Sequence, residues 1–191
     1  DNTPTLTWNT VAGPPQDYRV QLSNNSSFTG IIADSIKTTT SVTINTPVAD
    51  GMKYFRVASR DGLLNQSVFS VLDSFLVDTT PPTSPVFIAY TPDPTNYTTL
   101  TMKWRKVSGA SSYRYQLTFD KTFTSVLKDS IKIGGENDTT ITVAAPASDG
   151  MKYWRVASRD GLLNQSVFSL ADSFIIDRTP PPVPTVIIFT P

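Results

Sequence analysis

A near-identical internal repeat limits this chain more than any other feature. Residues 50–70 read DGMKYFRVASRDGLLNQSVFS and residues 149–169 read DGMKYWRVASRDGLLNQSVFS, so 20 of 21 positions agree and only Phe55 and Trp154 differ. Weaker echoes lie on the N-terminal side. Leu6-Thr7-Trp8 answers Met102-Lys103-Trp104, Tyr18-Arg19-Val20-Gln21-Leu22 answers Tyr113-Arg114-Tyr115-Gln116-Leu117, and Asp34-Ser35-Ile36-Lys37 returns as Asp129-Ser130-Ile131-Lys132. The spacing is 96 residues at the tryptophans and 99 at the DGMKY segment. Two copies in 191 residues imply two modules of about 100 residues, each large enough to bury its own core.

The copies are out of phase with the chain. Asp78-Thr79-Thr80-Pro81-Pro82 leads into Val86–Tyr90 and then Thr91-Pro92. Asp177-Arg178-Thr179-Pro180-Pro181 leads into Thr185–Phe189 and then Thr190-Pro191. A copy of the segment that opens the second module therefore follows its end, while the first module starts at its second strand. The expected boundaries are residues 1–80 for a module short of its first strand, 81–178 for a second module, and 179–191 for an extra strand. That strand belongs to a following module or is donated to a neighbouring subunit.

Within each module the apolar period is two. Leu6/Trp8, Leu100/Met102/Trp104, Tyr18/Val20/Leu22, Val42/Ile44, Phe55/Val57 and Phe75/Val77 alternate with polar residues, as do Ile141/Val143, Trp154/Val156 and Phe174/Ile176. Turn clusters separate them: Ala12–Asp17, Ser23–Ser27, Ala49-Asp50-Gly51 and Asp61-Gly62. No stretch carries helical periodicity with caps. Short strands punctuated every 8–12 residues predict an all-β chain of two tandem antiparallel sandwiches.

A Trp on the second strand, a Tyr-x-Val/Tyr-x-Leu third strand and a DG-x-x-Y-[FW]-R-V-A-S-x-D strand with a G…N…S loop resemble fibronectin type III-like modules. Bacterial and archaeal immunoglobulin-like tandem repeats of surface and secreted proteins share this look, including the Asp-x-Thr-x-Pro linker at Asp78–Pro82 and Asp177–Pro181. The resemblance covers nearly the whole chain; its motifs speak for the fold and little for function, because this superfold hosts many roles.

Composition points away from catalysis. There is no His and no Cys, which excludes an imidazole base, a Ser-His-Asp triad, thiolate chemistry, disulfides and Cys/His metal sites. Sixteen basic residues balance 16 acidic ones, so neither nucleic acid nor an anionic membrane is an expected partner. No apolar run approaches the roughly 20 residues of a membrane span, and the chain opens at Asp1 without a leader pattern, as a mature chain or a cut fragment would. Of the acids, 15 are Asp and one is Glu136. Asp50/Asp149 and Asp61/Asp160 precede Gly and read as turn residues bonding local backbone rather than as a catalytic pair. No cofactor is expected. Calcium at the module junctions, through Asp78 and Asp177, is a minor option because hard cations need clustered oxygens and no Asp-x-Asp spacing supplies them.

Three further features bear on function. Tyr54, Arg56, Ala58, Arg19 and Gln21 should share an outward face, as should Tyr153, Arg155, Arg114 and Gln116. This predicts a ladder of cross-strand pairs with Arg packed over Tyr, against a shallow face for a surface glycan or protein. Asn24, Asn25, Asn65, Asn96, Asn137 and Asn164 each begin an Asn-x-Ser/Thr triplet, six of nine Asn. Chance predicts about two when Ser and Thr fill 47 of 191 positions, so all six are candidate glycosylation acceptors. Finally, Val183, Thr185, Val186, Ile187, Ile188 and Phe189 form a displaced strand, apolar on both faces, while the first module lacks a strand of that kind. Either neighbouring repeats of a longer array supply the missing strand, or this segment completes the first module of another copy, head to tail. The expected function is an extracellular structural protein forming a stalk, fibre or filament. The competing expectation is an adhesive or carbohydrate-binding accessory module of a larger secreted protein.

Overall fold

The computed structural model describes residues 2–13, 15–88, 93–137 and 139–187. The chain divides into two compact units, Asp1–Thr80 and Pro81–Pro191. In the first, β1 (Thr5–Thr7) pairs with β4 (Ser41–Thr43) as one sheet. The other sheet runs β3 (Ile31–Lys37), β2 (Asp17–Ser23), β5 (Gly51–Arg60) and β6 (Asp73–Val77). In the second unit, β7 (Phe87–Ile88) and β11 (Thr140–Ala144) flank β8 (Thr99–Trp104). Facing them is a sheet in the order β10 (Val126–Ile133), β9 (Ser112–Thr118), β12 (Gly150–Arg159) and β13 (Asp172–Ile176). Adjacent strands are antiparallel throughout these sheets.

Both units are sandwiches, because the alternate residues of the two sheets bury against each other. Leu6, Val42 and Ile44 meet Tyr18, Val20, Leu22, Val57 and Val77 in the first core. Leu100, Met102, Trp104 and Ile141 meet Tyr113, Tyr115, Leu117, Trp154, Val156, Phe174 and Ile176 in the second. The inward positions are those that the period-two pattern selects. Lys53 is an inward residue that is not apolar: with its counterpart Lys152, it is buried to the stem and turns its ammonium back onto the carbonyls of Asp50/Gly51 and Asp149/Gly150.

The repeated 21-residue block folds as one strand plus the loop that finishes its edge. β6 pairs only with Gly51–Phe55. Beyond that point the loop takes over: Ser67 N–H and Ser70 N–H donate to Ser59 and Val57 carbonyls, and the Ser67 and Ser70 hydroxyls accept from Ser59 and Val57 N–H. The second unit repeats these bonds with Ser158, Ser166, Val156 and Ser169. The loop turn is an Asp-centred clasp. Asp61 Oδ1 accepts Leu63 and Asn65 N–H, both at 2.9 Å, and Leu64 is held at φ 67°. Asp160 does the same, with Leu163 at 69°.

The units differ at one edge. β8 has a partner on each side, whereas β1 has only β4 among the described residues, so the first module has no counterpart of β7 there. Of the strand expected at Val86–Tyr90, Phe87–Ile88 forms β7, while Ala89 and Tyr90 lie outside the described residues. The Phe87 ring lies 3.9 Å from the Trp154 ring, centroid to centroid, and Trp154 is fully buried. Its counterpart Phe55 is only half-buried. Trp154→Ala should therefore cost about 3–5 kcal/mol, the range for a buried aromatic, and Phe55→Ala clearly less. Urea unfolding of the two variants followed by circular dichroism checks this; equal losses would contradict it.

Candidate strand-docking groove

An open groove of about 410 Å³ runs along the free edge of β1 in the first module, lined by Thr7, Trp8, Asn9, Tyr18, Phe55, Val57, Ser59 and Ser67 among others. Its lining combines apolar side chains with the hydroxyls of Thr7, Tyr18, Ser59, Ser67 and Ser70. Each lining residue has a counterpart in the second module, and there residues 83–88 cover the same surface. Phe87 pairs with Trp104 and Ile88 with Lys103. Arg105 N–H, at the position of Asn9, donates to the Val86 carbonyl at 2.7 Å. Ser158 Oγ, at the position of Ser59, donates to the Thr83 carbonyl at 2.6 Å. Pro85 is buried and Phe87 half-buried.

The displaced C-terminal segment is exposed. Val183, Val186 and Ile187 are 90%, 88% and 92% accessible, Thr185 is exposed too, and no strand forms between Asp177 and Ile187. The candidate residues Ile188 and Phe189 lie outside the described residues. In sequence this segment matches 78–92 at an offset of 99, placing Pro182 at Thr83, Val183 at Ser84, Pro184 at Pro85, Thr185 at Val86, Val186 at Phe87 and Ile187 at Ile88.

The exit from each module is held by a carboxylate that was expected to serve a local turn. Asp50 instead accepts from Thr79 N–H, Thr79 Oγ1 and Thr80 Oγ1 at 3.0, 2.8 and 2.7 Å, across 29 and 30 residues. Asp149 accepts from Arg178 N–H and Thr179 Oγ1 in the same way. Gly51 and Gly150 turn with positive φ, which leaves the preceding carboxylate facing the departing chain. Thr80 and Thr79 hold the Asp50 carboxyl below its ordinary range, and the Arg178 N–H followed by Thr179 does so for Asp149. Asp61 and Asp160 are the local turn residues expected of them. Asp78 and Asp177 each accept from the N–H two residues on, Thr80 and Thr179. Among the described residues no group of three or more His, Cys, Asp or Glu could hold a metal ion.

The outward face of the larger sheet is a closed network. In the first module Arg19 forms a two-pronged pair with Asp34, at 2.9 and 2.6 Å. Gln21 donates to Asp34, and its own Oε1 accepts from Arg56 at 3.0 and 2.8 Å. The Arg56 guanidinium sits between two rings, 3.9 Å from Phe28 and 4.1 Å from Phe69. Arg114, Asp129, Gln116, Arg155, Phe123 and Phe168 repeat the arrangement. The ladder expected here exists, but its aromatic partners are Phe rather than Tyr. They reach the face from loops: Phe28 and Phe123 each sit at the end of a turn with φ near 57°, a conformation unusual for an aromatic.

The candidate glycosylation acceptors separate into two groups. Asn24, Asn96 and Asn137 are exposed. In Asn25, Asn65 and Asn164 the side-chain amide already donates, to Thr29, Asp61 and Asp160 respectively.

No family model matches the sequence, and no curated protein matches it. Among solved structures, the chicken CNTN1 FN1-FN3 domains are similar over 93% of this chain with a TM-score of 0.59 and 10% identity. This chain spans 64% of that structure's length. A second structure, described as FN3tt mut, covers 49% of this chain and 94% of its own at 19% identity, with a TM-score of 0.38. The first likeness shows the fold: tandem fibronectin type III-like sandwiches. Among the described residues no helix is long and apolar enough to cross a membrane.

Stability should fall in acid through the outer-face carboxylates. Asp34 and Asp129 are lowered chiefly by Arg19 and Arg114. A lowered folded value means the stabilisation is present above the unfolded value near 4 and is lost as pH falls through the lower folded one. Thermal melts from pH 6 to 2 should drop mainly below pH 4, and the double variant Asp34→Asn/Asp129→Asn should flatten that drop. An unchanged slope in the variant would refute the assignment.

Proposed function

We propose that this chain is an extracellular, non-catalytic structural protein whose sandwiches join in series as a stalk, fibre or filament. The first module of one copy is completed by residues 183–189 of another. One observation carries this reading: the groove beside β1 is the surface that residues 83–88 cover in the second module, and the chain holds a second, exposed copy of that covering segment. Main-chain bonds at Asn9 and the β1 edge supply affinity, and the alternation of side chains sets the register. On this reading the groove of one copy takes the strand of another. Such a head-to-tail contact joins unlike surfaces, so it extends without closing and gives an unbranched series.

A sandwich without Cys has no covalent staple, so its completion rests on packing and the borrowed ladder. Pro-rich connections between modules, Thr79–Pro85 and Thr179–Pro184, restrict the chain as a stiff fibre requires. Carbohydrate on an exposed acceptor suits the same setting.

Electron microscopy and sedimentation of the protein at increasing concentration test the reading. The intact chain should form linear assemblies, and a chain lacking Pro182–Pro191 should stay monomeric. Assembly that survives the deletion unchanged would sink strand donation. Intact-mass analysis of natively produced protein should show added hexose at Asn24, Asn96 or Asn137 before the three engaged acceptors; a bare polypeptide mass would remove glycosylation.

A further inference from the structure

The two repeated blocks are 20 of 21 identical, so a difference in burial between them comes from what surrounds them: residues 81–88 in the second module, and a loop between Trp104 and β9 that is one residue shorter than the loop between Trp8 and β2. Ser59 is half-buried but Ser158 fully buried, and Asp61 and Ser67 are exposed while Asp160 and Ser166 are buried. Leu63 is 85% accessible and Leu162 50%. Asn65 and Gln66 are exposed where Asn164 and Gln165 are half-buried. The Pro-rich leader reaches this end of the block in the second module: Pro82 and Ser84 are half-buried, Pro85 is buried, and the Thr83 carbonyl accepts from Ser158. In the first module the matching surface is a second open groove of about 350 Å³, lined by Val11, Gly13, Pro15, Asp61, Asn65 and Gln66 among others.

Resting on the head-to-tail reading above, we propose that the first module recognises the leader Pro180–Pro184 of a second copy as well as its apolar strand, with Ser59 Oγ donating to the Pro182 carbonyl. The chemistry fits a proline-rich segment. Both anchors seen in the second module use carbonyls, Thr83 in the leader and Val86 at the start of the strand, and neither uses an N–H of residues 83–85. Proline at 182 and 184 keeps the carbonyls and gives up only donors that are not needed. Consecutive prolines also hold the extended form in advance, so docking orders few new torsions. Val183 takes the half-buried Ser84 position and brings an apolar side chain that is 90% exposed in the free segment.

Two variants of the full chain test this. One replaces the leader, Pro180→Gly, Pro181→Ser, Pro182→Gly and Pro184→Ser, and keeps Thr185–Phe189. The other is Ser59→Ala, with Ser158→Ala as its internal counterpart. Leader replacement should raise the concentration needed for assembly at least about tenfold, and Ser59→Ala about threefold, while far-ultraviolet circular dichroism of the monomers stays unchanged. If the leader variant assembles like the parent while deletion of Pro182–Pro191 abolishes assembly, the leader is not recognised but strand donation stands. If the deletion variant also assembles, both fall. A loss on leader replacement with none in Ser59→Ala would make chain stiffness the cause and overturn the contact.

Discussion

Each module depends on a first strand lying against the edge of the second and over the facing sheet. In the second module this is the Phe87–Trp154 contact with the β7–β8 ladder beside it. Without that strand the smaller sheet is a two-stranded ribbon, β1 and β4, whose free side exposes unpaired backbone. Ser158, which donates to the Thr83 carbonyl, is buried together with Asp160 and Ser166, whereas Ser59, Asp61 and Ser67 remain accessible.

Charge is used internally in this protein. Arg19, Arg56, Arg114 and Arg155 are paired with carboxylates, glutamine amides and phenylalanine rings on their own sheet face, and Arg60 is paired with Asp17. A face whose donors and acceptors satisfy one another is a poor start for a glycan site, which needs polar groups free to reach a ligand.

Much of the sandwich was legible because a strand half-buried against a facing sheet leaves a period-two trace, and because the repeat supplied the phase. Phe55/Val57 against Tyr54/Arg56 followed from alternation. What escaped were features that alternation does not encode. Lys53 and Lys152 occupy inward positions because a long stem can bury while its ammonium turns back to nearby carbonyls. Phe28 and Phe123 reach the Arg face only through a left-handed backbone angle at a turn. Asp50 and Asp149 looked local because they precede Gly, yet their partners lie on the chain leaving the module. The groove itself has no sequence motif. Only the unequal burial of equal residues reveals it.

The carboxylate clamps bear on how a borrowed strand would be presented. Thr79 and Thr80 are fixed to Asp50 immediately before Pro81, and Arg178 and Thr179 are fixed to Asp149 immediately before Pro180. Arg178 adds bonds to the carbonyls of Pro146, Ala147 and Tyr97 that a threonine at that position cannot make. Each Pro-rich leader therefore leaves its module from a fixed root, and the second root is tied to more of its module than the first. A strand that remains within its own chain needs little such restraint, since the chain already keeps it close. One that must find another copy gains more from a root and a leader already held extended, because each torsion fixed beforehand is one that docking need not order. The extra arm at Arg178 stands at the exit where, on the head-to-tail reading, that restraint matters most.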